Sequence, residues 1–500
     1  MEYDQMALFN FLILNYTPKK HTVYKDVRRL GINEIVYWDS KNIKIQRLED
    51  RPVKITEYGD SELERCWEIM QHAIYSRASQ IENWVSVSGG WDSTFILTSL
   101  VKEFGVSKTM PIIGIMNYSH KGHPYNPYEI KKVKSISRFL GLKLEEVNFD
   151  LSSQNAPLYW ESIKDDMKGN HLYYFGAYGS YRLGENISRG GINKGSVLFN
   201  GDMADSIFNF GYSQYVTIKH SVLSFCEYAD KMANYLYGPH FYRKLLNGIY
   251  KDDFIFQLFK FRYANTHFND DVNESASLIE RYLLPFIFGS PRIPFVDIFL
   301  NQPFKSEGIK IFYQWLSDEY LHPLYRNIEP ETLYYWFMYC YRNFHFQGFN
   351  GNQWRVGANY YGVESCQPFF DSLLIDFCCS MPEDWGRGLS FKSVKYPLKW
   401  LLKNKLDFPI EIIEQGPHSY VMETDKNALS PTGQLLYESG MTQYFKDVIK
   451  TCHYKELLDD RYFDYDFIDK IIEDYCCGKS VGIQEGFLRN LLSLFSVGYY

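Results

Sequence analysis

The feature that most constrains the fold is an alternation of strand-like and helix-like segments that begins at Trp84. A strand pattern, WVSVS, is followed by helical spacing in STFILTSLVKEFG, which ends at Gly105. A second strand, MPIIGIMNY, leads into a second helix, PYEIKKVKSISRFLG, and a third strand, LEEVNFD; a later buried strand is SVLFNGD at 196–202. Strands that alternate with amphipathic helices predict an α/β fold, a doubly wound parallel sheet with helices on both faces. After about residue 215 helical patterns predominate.

The segments that precede this alternation predict a small α+β unit. An apolar N-terminal segment is expected to form a helix, and NEIVYWDS and KNIKIQRL are expected to form short strands joined by a polar turn. Residues 60–80 have helical spacing, with Ser61 as the candidate N-cap.

The turn between the first strand and the first helix of the alternation, SGGWDST, has the composition of a phosphate-binding loop. Gly89 and Gly90 permit positive φ and a close approach of the backbone to a ligand. The following helix presents its N-terminal N–H groups to an anion. Ser88, Ser93 and Thr94 add hydroxyl donors, so the segment predicts a site for phosphate groups.

Asp92 is the exception in this set, because a carboxylate repels phosphate unless a cation lies between them. The residue therefore indicates Mg²⁺. The alternative is a tight strand–helix turn in which Asp92 is only the N-cap. This turn has neither the GK[ST] of a Walker loop nor the G-x-G-x-x-G of a dinucleotide fold.

The segment SGGWDST resembles the pyrophosphate loop (PP-loop) of the N-type ATP pyrophosphatases. Other stretches resemble the asparagine synthetase family within that superfamily, which also includes the related β-lactam synthetases and lasso-peptide cyclases. These stretches are NPYEIKKVKSISRFLGLKLEEV (126–147), VLFNGDMADSIFNFGYSQY (197–215), GVESCQPFFDSLLIDFCCSMP (362–382) and KYPLKWLLKNKLDFP (395–409).

The resemblance implies a sheet of the adenine-nucleotide α-hydrolase type with a largely helical C-terminal part. It assigns residues 76–500 to an ATP pyrophosphatase (synthetase) domain and residues 1–75 to a truncated remnant of a glutaminase-like N-terminal domain. The chain has Glu2 where glutamine-dependent members carry a catalytic cysteine. Nitrogen is therefore expected from free ammonia, an amine substrate or a separate subunit.

The implied site combines ATP, Mg²⁺ and a substrate carboxylate. The residues that would bind ATP are Ser88, Gly89, Gly90, Asp92, Ser93, Thr94 and Gly201. Asp92 and Asp205 would bind the metal, and Asp202 lies where the family has a glutamate near the substrate carbonyl. The alternative for Asp202 and Asp205 is a structural cap.

The family lysine after Pro409 is the main departure, because Pro417 falls at its position. Lys395, Lys399 or Lys426 could supply the cation, or His418 could act as a general acid/base. An exposed loop histidine is the alternative for His418. We take Lys395 and His418, with Asp202, as the candidate catalytic residues.

These residue assignments predict an ATP- and Mg²⁺-dependent amide-forming ligase. It would adenylate a small-molecule or peptide carboxylate, transfer it to ammonia or an amine, and release AMP and pyrophosphate. Specialised biosynthesis of a natural product, a peptide or a surface polysaccharide is the expected setting. The alternatives are a PP-loop sulfur-transfer enzyme and a degenerate, non-catalytic ATP-binding subunit of a complex.

Composition excludes several other classes of protein. The net charge is −7 and basic residues form no long run, which argues against a nucleic-acid partner. No apolar stretch reaches the roughly 18 residues of a membrane span, and the acidic N-terminus lacks a signal-peptide pattern. The nine cysteines show no CxxC spacing and form no disulfide framework, as expected for reduced thiols in a cytoplasmic protein. His120 and His123 are read as surface residues, Cys366 as buried filler, and the aromatic run at 334–349 as core, or else as a wall of an acceptor pocket.

Overall fold

The computed structural model describes residues 2–18, 20–122, 124–190, 195–209, 231–232, 234–262, 278–288, 295, 299, 301–325, 328–344, 346, 351–414 and 429–498. The strands of this part of the chain are β1 (Glu34–Trp38), β2 (Ile43–Arg47), β3 (Glu82–Ser86), β4 (Thr109–Ile115), β5 (Glu145–Asn148), β6 (Ser196–Phe199) and β7 (Glu364–Cys366).

Helices fill most of the rest of the described chain. Numbered in chain order, the α-helices are α1 (Gln5–Leu14), α2 (Asp60–Tyr75), α3 (Trp91–Phe104), α4 (Pro127–Phe139), α5 (Ala156–Gly169), α6 (Ala177–Arg189), α7 (Ala204–Asn209), α8 (Pro239–Leu246), α9 (Phe254–Arg262), α10 (Leu278–Phe288), α11 (Ser306–Leu316), α12 (His322–Tyr325), α13 (Leu333–Tyr341), α14 (Gly351–Tyr360), α15 (Ser372–Ser380), α16 (Tyr396–Asn404), α17 (Glu411–Glu414), α18 (Pro431–Tyr437), α19 (Thr442–Thr451), α20 (Tyr454–Leu457), α21 (Tyr465–Cys476) and α22 (Glu485–Ser496).

The central sheet has five parallel strands in the order β5-β4-β3-β6-β7. The chain enters at β3, runs outward through β4 to β5, and then crosses to the other side of β3 to form β6 and β7. This arrangement is compatible with a doubly wound α/β fold. Its strand order reverses between β3 and β6, and ligands of such sheets bind in the crevice outside the carboxyl ends at that point.

Burial explains why these segments form the middle of the sheet. All four residues of β6 are buried, and β3 alternates buried with half-buried positions. Parallel strands covered by helices on both faces read as nearly continuous apolar runs. β6, SVLF, follows that rule, whereas β3, ENWVS, begins with two polar residues and alternates in burial. The loops after β3 and β6 are consequently fixed side by side.

The N-terminal segment shares the core of the rest of the chain. The ring of Phe9 in α1 lies 4.1 Å from the ring of Phe304 and 4.6 Å from that of Phe312, centroid to centroid. At the other end of the sequence, Asn490 Nδ2 in α22 donates to the carbonyl oxygens of Phe11 and Leu12. The division of the chain at residue 75 stays a prediction.

The predicted order of elements is largely confirmed, with two corrections. The helix expected over 60–80 is α2, but Gly59, not Ser61, is its N-cap, and the Glu62 carboxylate accepts from the Gly59 N–H at 2.8 Å. Ser61 lies inside the first turn, where its hydroxyl donates to Glu62. The edge strand β7 was not predicted from the sequence, because three residues are too few to show a period.

Two other expectations concern burial and membranes. All nine residues of α13, within the aromatic run, are buried, as the core interpretation requires. In the part of the chain described here, no helix combines the length and the apolarity needed to cross a membrane.

Candidate active site

The candidate site lies where the loop after β3 (residues 87–90, the first loop) meets the loop after β6 (residues 200–203, the second loop). A Cβ atom on Gly201 would lie 3.1 Å from Asp92 Cβ and 3.2 Å from the backbone nitrogen of Ser93. The glycine therefore allows the second loop to contact the start of α3. The contact puts Asp92 and the second loop on the two sides of the crevice between β3 and β6.

Gly89 is required by the shape of the first loop. Its φ is +71°, and a Cβ atom would lie 2.8 Å from Cβ of Lys132 in α4. A larger residue would meet both backbone strain and a clash. Gly90 then caps α3 in an extended conformation, so that the N–H groups of the first helical turn have no partner within the helix.

Hydroxyl groups line the same turn. Ser93 Oγ accepts from the Ser88 N–H at 3.2 Å and lies 3.4 Å from Ser88 Oγ. Thr94 Oγ1 is buried and, among the described residues, has no hydrogen-bond partner. An unsatisfied buried hydroxyl beside helical N–H groups suits a phosphate oxygen.

Lys395 joins the two acidic residues of the crevice. Its Nζ lies 2.8 Å and 2.6 Å from the two carboxylate oxygens of Asp92 and 2.6 Å from Asp205 Oδ1. Lys395 has a left-handed backbone, with φ of 58°, at the N-cap of α16. Its side chain is only 9% exposed, so a single buried cation compensates both carboxylates.

The pKa values in the crevice reflect burial and this pairing. Burial raises the pKa of Asp92 to about 6, with Lys395 opposing the shift and Asp205 adding to it. Burial lowers the pKa of Lys395, but the two carboxylates outweigh it and raise that pKa above its usual value. The lysine is therefore charged at any physiological pH.

Asp202, in the second loop, is half-buried, and no cationic side chain among the described residues forms an ion pair with it. Burial raises its pKa to about 7, opposed by a hydrogen bond from Trp354 and reinforced by Asp205 and Asp92. Its Oδ2 atom is buried and has no hydrogen-bond partner in the described structure. A carboxyl group of this kind can accept or donate a proton near neutral pH.

The acidic pair fits Mg²⁺. Asp92 and Asp205 already converge on one cationic atom, and carboxylate oxygens are the ligands that Mg²⁺ prefers, completed by water and substrate phosphates. Metal binding at both carboxylates requires the Lys395 ammonium to leave at least one of them. No cluster of three or more acidic, histidine or cysteine side chains that could hold a metal occurs among the residues the structure covers.

The other candidate residues are distributed as follows. His418 and Lys426 lie outside the described residues, so the expected role of His418 stays a prediction. Lys399 Nζ lies 4.7 Å from the centre of the Trp91 ring, at the start of α3. The structure thus brings together the first loop, Gly201, Asp202, Asp205 and Lys395.

The remaining chemistry-bearing residues lie elsewhere. Burial raises the pKa of the Cys366 thiol to about 12, so it is no nucleophile. His120 Nδ1 donates to the Glu438 carbonyl oxygen on the surface, and His123 lies outside the described residues. The cysteines that the structure covers are free thiols.

Lys132 is a site residue that the sequence interpretation missed. It is 8% exposed and packs with its Cβ against Gly89. A signal was present, because Lys132 falls on the same buried face of α4 as Val133 and Ile136. A lysine on the apolar stripe of an amphipathic helix indicates a cation facing inward.

Comparison with known proteins gives no name to this arrangement. No protein-family model matches the chain, and no curated protein matches it significantly.

Proposed function

We propose that this chain is an ATP- and Mg²⁺-dependent ligase of the asparagine-synthetase type, with a sheet of the adenine-nucleotide α-hydrolase type. It would activate a carboxylate as its adenylate and transfer the acyl group to ammonia or an amine. One observation carries the proposal. Asp92 and Asp205 converge on one cation at the switch point of a parallel sheet, next to a Gly-Gly turn that opens a helix.

The first loop would hold the β- and γ-phosphates. The N–H groups of the first turn of α3 and the hydroxyls of Ser88, Ser93 and Thr94 are the available donors. Asp92 and Asp205 would hold Mg²⁺, which neutralises the charge of the departing pyrophosphate. The loop's part is to fix the nucleotide with its α-phosphorus exposed to a carboxylate oxygen.

Lys395 and Asp202 would handle charge and protons. Once released from one carboxylate, the Lys395 ammonium can pair with a phosphate or adenylate oxygen, the task assigned to the family lysine. Asp202 can accept the proton that the amine loses when it attacks the acyl carbonyl. The balanced outcome is one amide, AMP and pyrophosphate.

One observation favours a second candidate, a degenerate ATP-binding subunit without catalysis. Lys395 spans both acidic residues, and a permanently bound ammonium would make a metal redundant. The sulfur-transfer alternative has less support, because no described cysteine is placed at the first loop and burial raises the pKa of Cys366.

Pyrophosphate exchange separates these candidates. The purified chain is incubated with ³²P-labelled pyrophosphate, ATP, Mg²⁺ and a panel of carboxylic acids, and label in ATP is measured. We expect exchange with one class of acid, abolished in Asp92→Asn and retained in Asp460→Asn, an exposed carboxylate matched in charge. ATP binding with no exchange for any acid, with or without added amine, would instead support the degenerate subunit.

A further inference from the structure

A second concave site lies at the same edge of the sheet, and the proposed chemistry does not account for it. We call it the aromatic pocket and define it by Tyr118, Phe149, Tyr174, Tyr178, Thr432 and Arg489, with a volume of about 130 Å³. Phe149 follows directly after β5, and Tyr118 follows β4. The pocket therefore opens at the carboxyl ends of the strands, on the β4–β5 side of the first loop.

The pocket adjoins the candidate active site through one residue. Tyr174 lies close enough to both Arg489 and Asp202 for each charge to act on it. Burial raises the pKa of Tyr174, the guanidinium opposes that shift, and the carboxylate adds to it.

Glycines fix the rings that wall this pocket. A Cβ atom on Gly114 would lie 2.1 Å from the Phe149 ring, and one on Gly179 would lie 2.9 Å from it. A Cβ atom on Gly176 would lie 2.0 Å from the Tyr174 ring. A side chain at any of these glycine positions would displace a ring. The glycines therefore fix the positions of the rings that wall the pocket.

Arg489 is the only charged side chain among the described residues that line the pocket, and its hydrogen-bond partners there are neutral. Nη1 donates to Thr432 Oγ1 at 3.2 Å, and Nε and Nη2 donate to Asn490 Oδ1 at 3.1 Å and 3.0 Å. Within the described residues no carboxylate forms an ion pair with it. A guanidinium offers five N–H donors, and enclosed charges are ordinarily paired.

We propose that the aromatic pocket binds a ring-bearing carboxylate, with the ring among Phe149, Tyr174 and Tyr178 and the carboxylate on Arg489. A cavity of roughly 150 Å³ holds benzene, so the volume here suits one six-membered ring. Arginine is the side chain that pairs a carboxylate through two parallel hydrogen bonds.

Binding of such a carboxylate does not depend on the proposed function. Only the further statement that this ligand is the acid substrate rests on it. A carboxylate paired with a guanidinium has its lone pairs engaged, so the group on Arg489 would serve recognition. The acid substrate then carries a second carboxylate, which is the one activated.

Binding of a matched pair of probes tests the pocket without ATP. The probes are 4-fluorobenzoate and 4-fluorobenzamide, which share a ring and differ in charge, followed by ligand-observed ¹⁹F NMR on the full chain. We expect the benzoate to bind at least tenfold more tightly, Arg489→Met to abolish that preference, and Arg489→Lys to keep part of it. Arg461→Met, an exposed arginine, is the matched control and should change nothing.

Leu435→Phe gives a variant that leaves the charge in place and fills the pocket lining. It should weaken both probes together. Equal binding of the two probes, no binding of either, or a preference that survives in Arg489→Met would overturn the proposal. Selective benzoate binding without pyrophosphate exchange for any diacid would leave the pocket standing and remove the proposed function instead.

Discussion

The crevice between β3 and β6 and the aromatic pocket are neighbours that treat buried charge in opposite ways. In the crevice, one lysine is surrounded by carboxylates and holds two of them. In the pocket, one arginine is held by a hydroxyl and an amide, both neutral. The carboxylates of the crevice are therefore already neutralised by Lys395, and this ion pair would have to break before a metal could bind there. In the pocket, the positive charge of Arg489 is left to pair with an anionic ligand.

The contrast predicts which substitution lowers the free energy of unfolding most. We expect Lys395→Met to reduce the free energy of unfolding by about 2–4 kcal/mol, because it leaves Asp92 buried and uncompensated; the partial exposure of Asp205 keeps the loss below the full range for a buried pair. Urea denaturation measures it, and added Mg²⁺ should restore more stability to the variant than to the parent. Lys405→Met, which breaks the more exposed pair with Glu64, should cost less than about 1 kcal/mol. Equal losses in the two variants would contradict the assignment of Lys395.

Glu383 is an intermediate case, a largely buried carboxyl group whose nearby cations do not outweigh burial. Burial raises its pKa to about 7, with Arg243 and Arg387 opposing. Because the folded-state pKa is above the unfolded value near 4.5, its contribution is fully present below pH 4.5 and is lost as pH rises to 7. The loss is about 3 kcal/mol at most. Unfolding free energies from pH 4.5 to 7.5 should fall more steeply for the parent than for Glu383→Gln, and parallel curves would contradict this.

The shape of the first loop can be separated from its charge. Gly89→Ala should destabilise the chain by about 2 kcal/mol, since it combines a strained backbone, at φ +71°, with a contact of 2.8 Å to Lys132. Gly105 also has a positive φ, +80°, but an added Cβ atom there would have no atom within 4 Å. The cost of Gly105→Ala should be about 1 kcal/mol, from strain alone. Thermal unfolding of the two variants gives the difference, and a smaller loss at Gly89 would argue against the packing of Lys132 under the loop.

The smallest effect is expected at the pocket. Arg489→Met should change the free energy of unfolding by less than about 1 kcal/mol, because losing neutral hydrogen bonds is offset by removing a partly desolvated charge. The same urea measurement applies. A loss as large as that of Lys395→Met would mean that a carboxylate pairs with Arg489, which would end the contrast between the two sites.

Part of this architecture follows from local sequence. The alternation that begins at Trp84 predicted β3 to β6, α3 and α4 in order, because buried strands and amphipathic helices each have their own period. The two helices between β5 and β6, α5 and α6, were not predicted. Strand ends shifted by a few residues, and β7 was too short to detect. The complete S-G-G-x-D-S pattern between a strand and a helix predicted a phosphate loop, whereas a glycine pair alone would equally fit a tight turn, and the loop's role stays a prediction.

The assembly of the site could not be read locally. Lys395 reaches Asp92 across 303 positions of sequence, and no periodicity indicates which distant residues meet. Its candidacy came from a resemblance. Lys132 and Arg489 were missed because their importance depends on what surrounds them, a glycine in one case and neutral acceptors in the other.

The long separation of Asp92, Asp205 and Lys395 has a consequence for biogenesis. A ribosome-bound chain that has emerged only as far as α7 contains both acidic residues but neither α16 nor the cation that neutralises them. Until the last quarter of the sequence arrives, the crevice is a concentration of negative charge that repels nucleotide unless a metal enters first. If the crevice binds ATP as we propose, that capacity should therefore arise late and all at once. Nucleotide present during synthesis would then select completed chains by mass action, shielding them from proteases that remove unfinished ones.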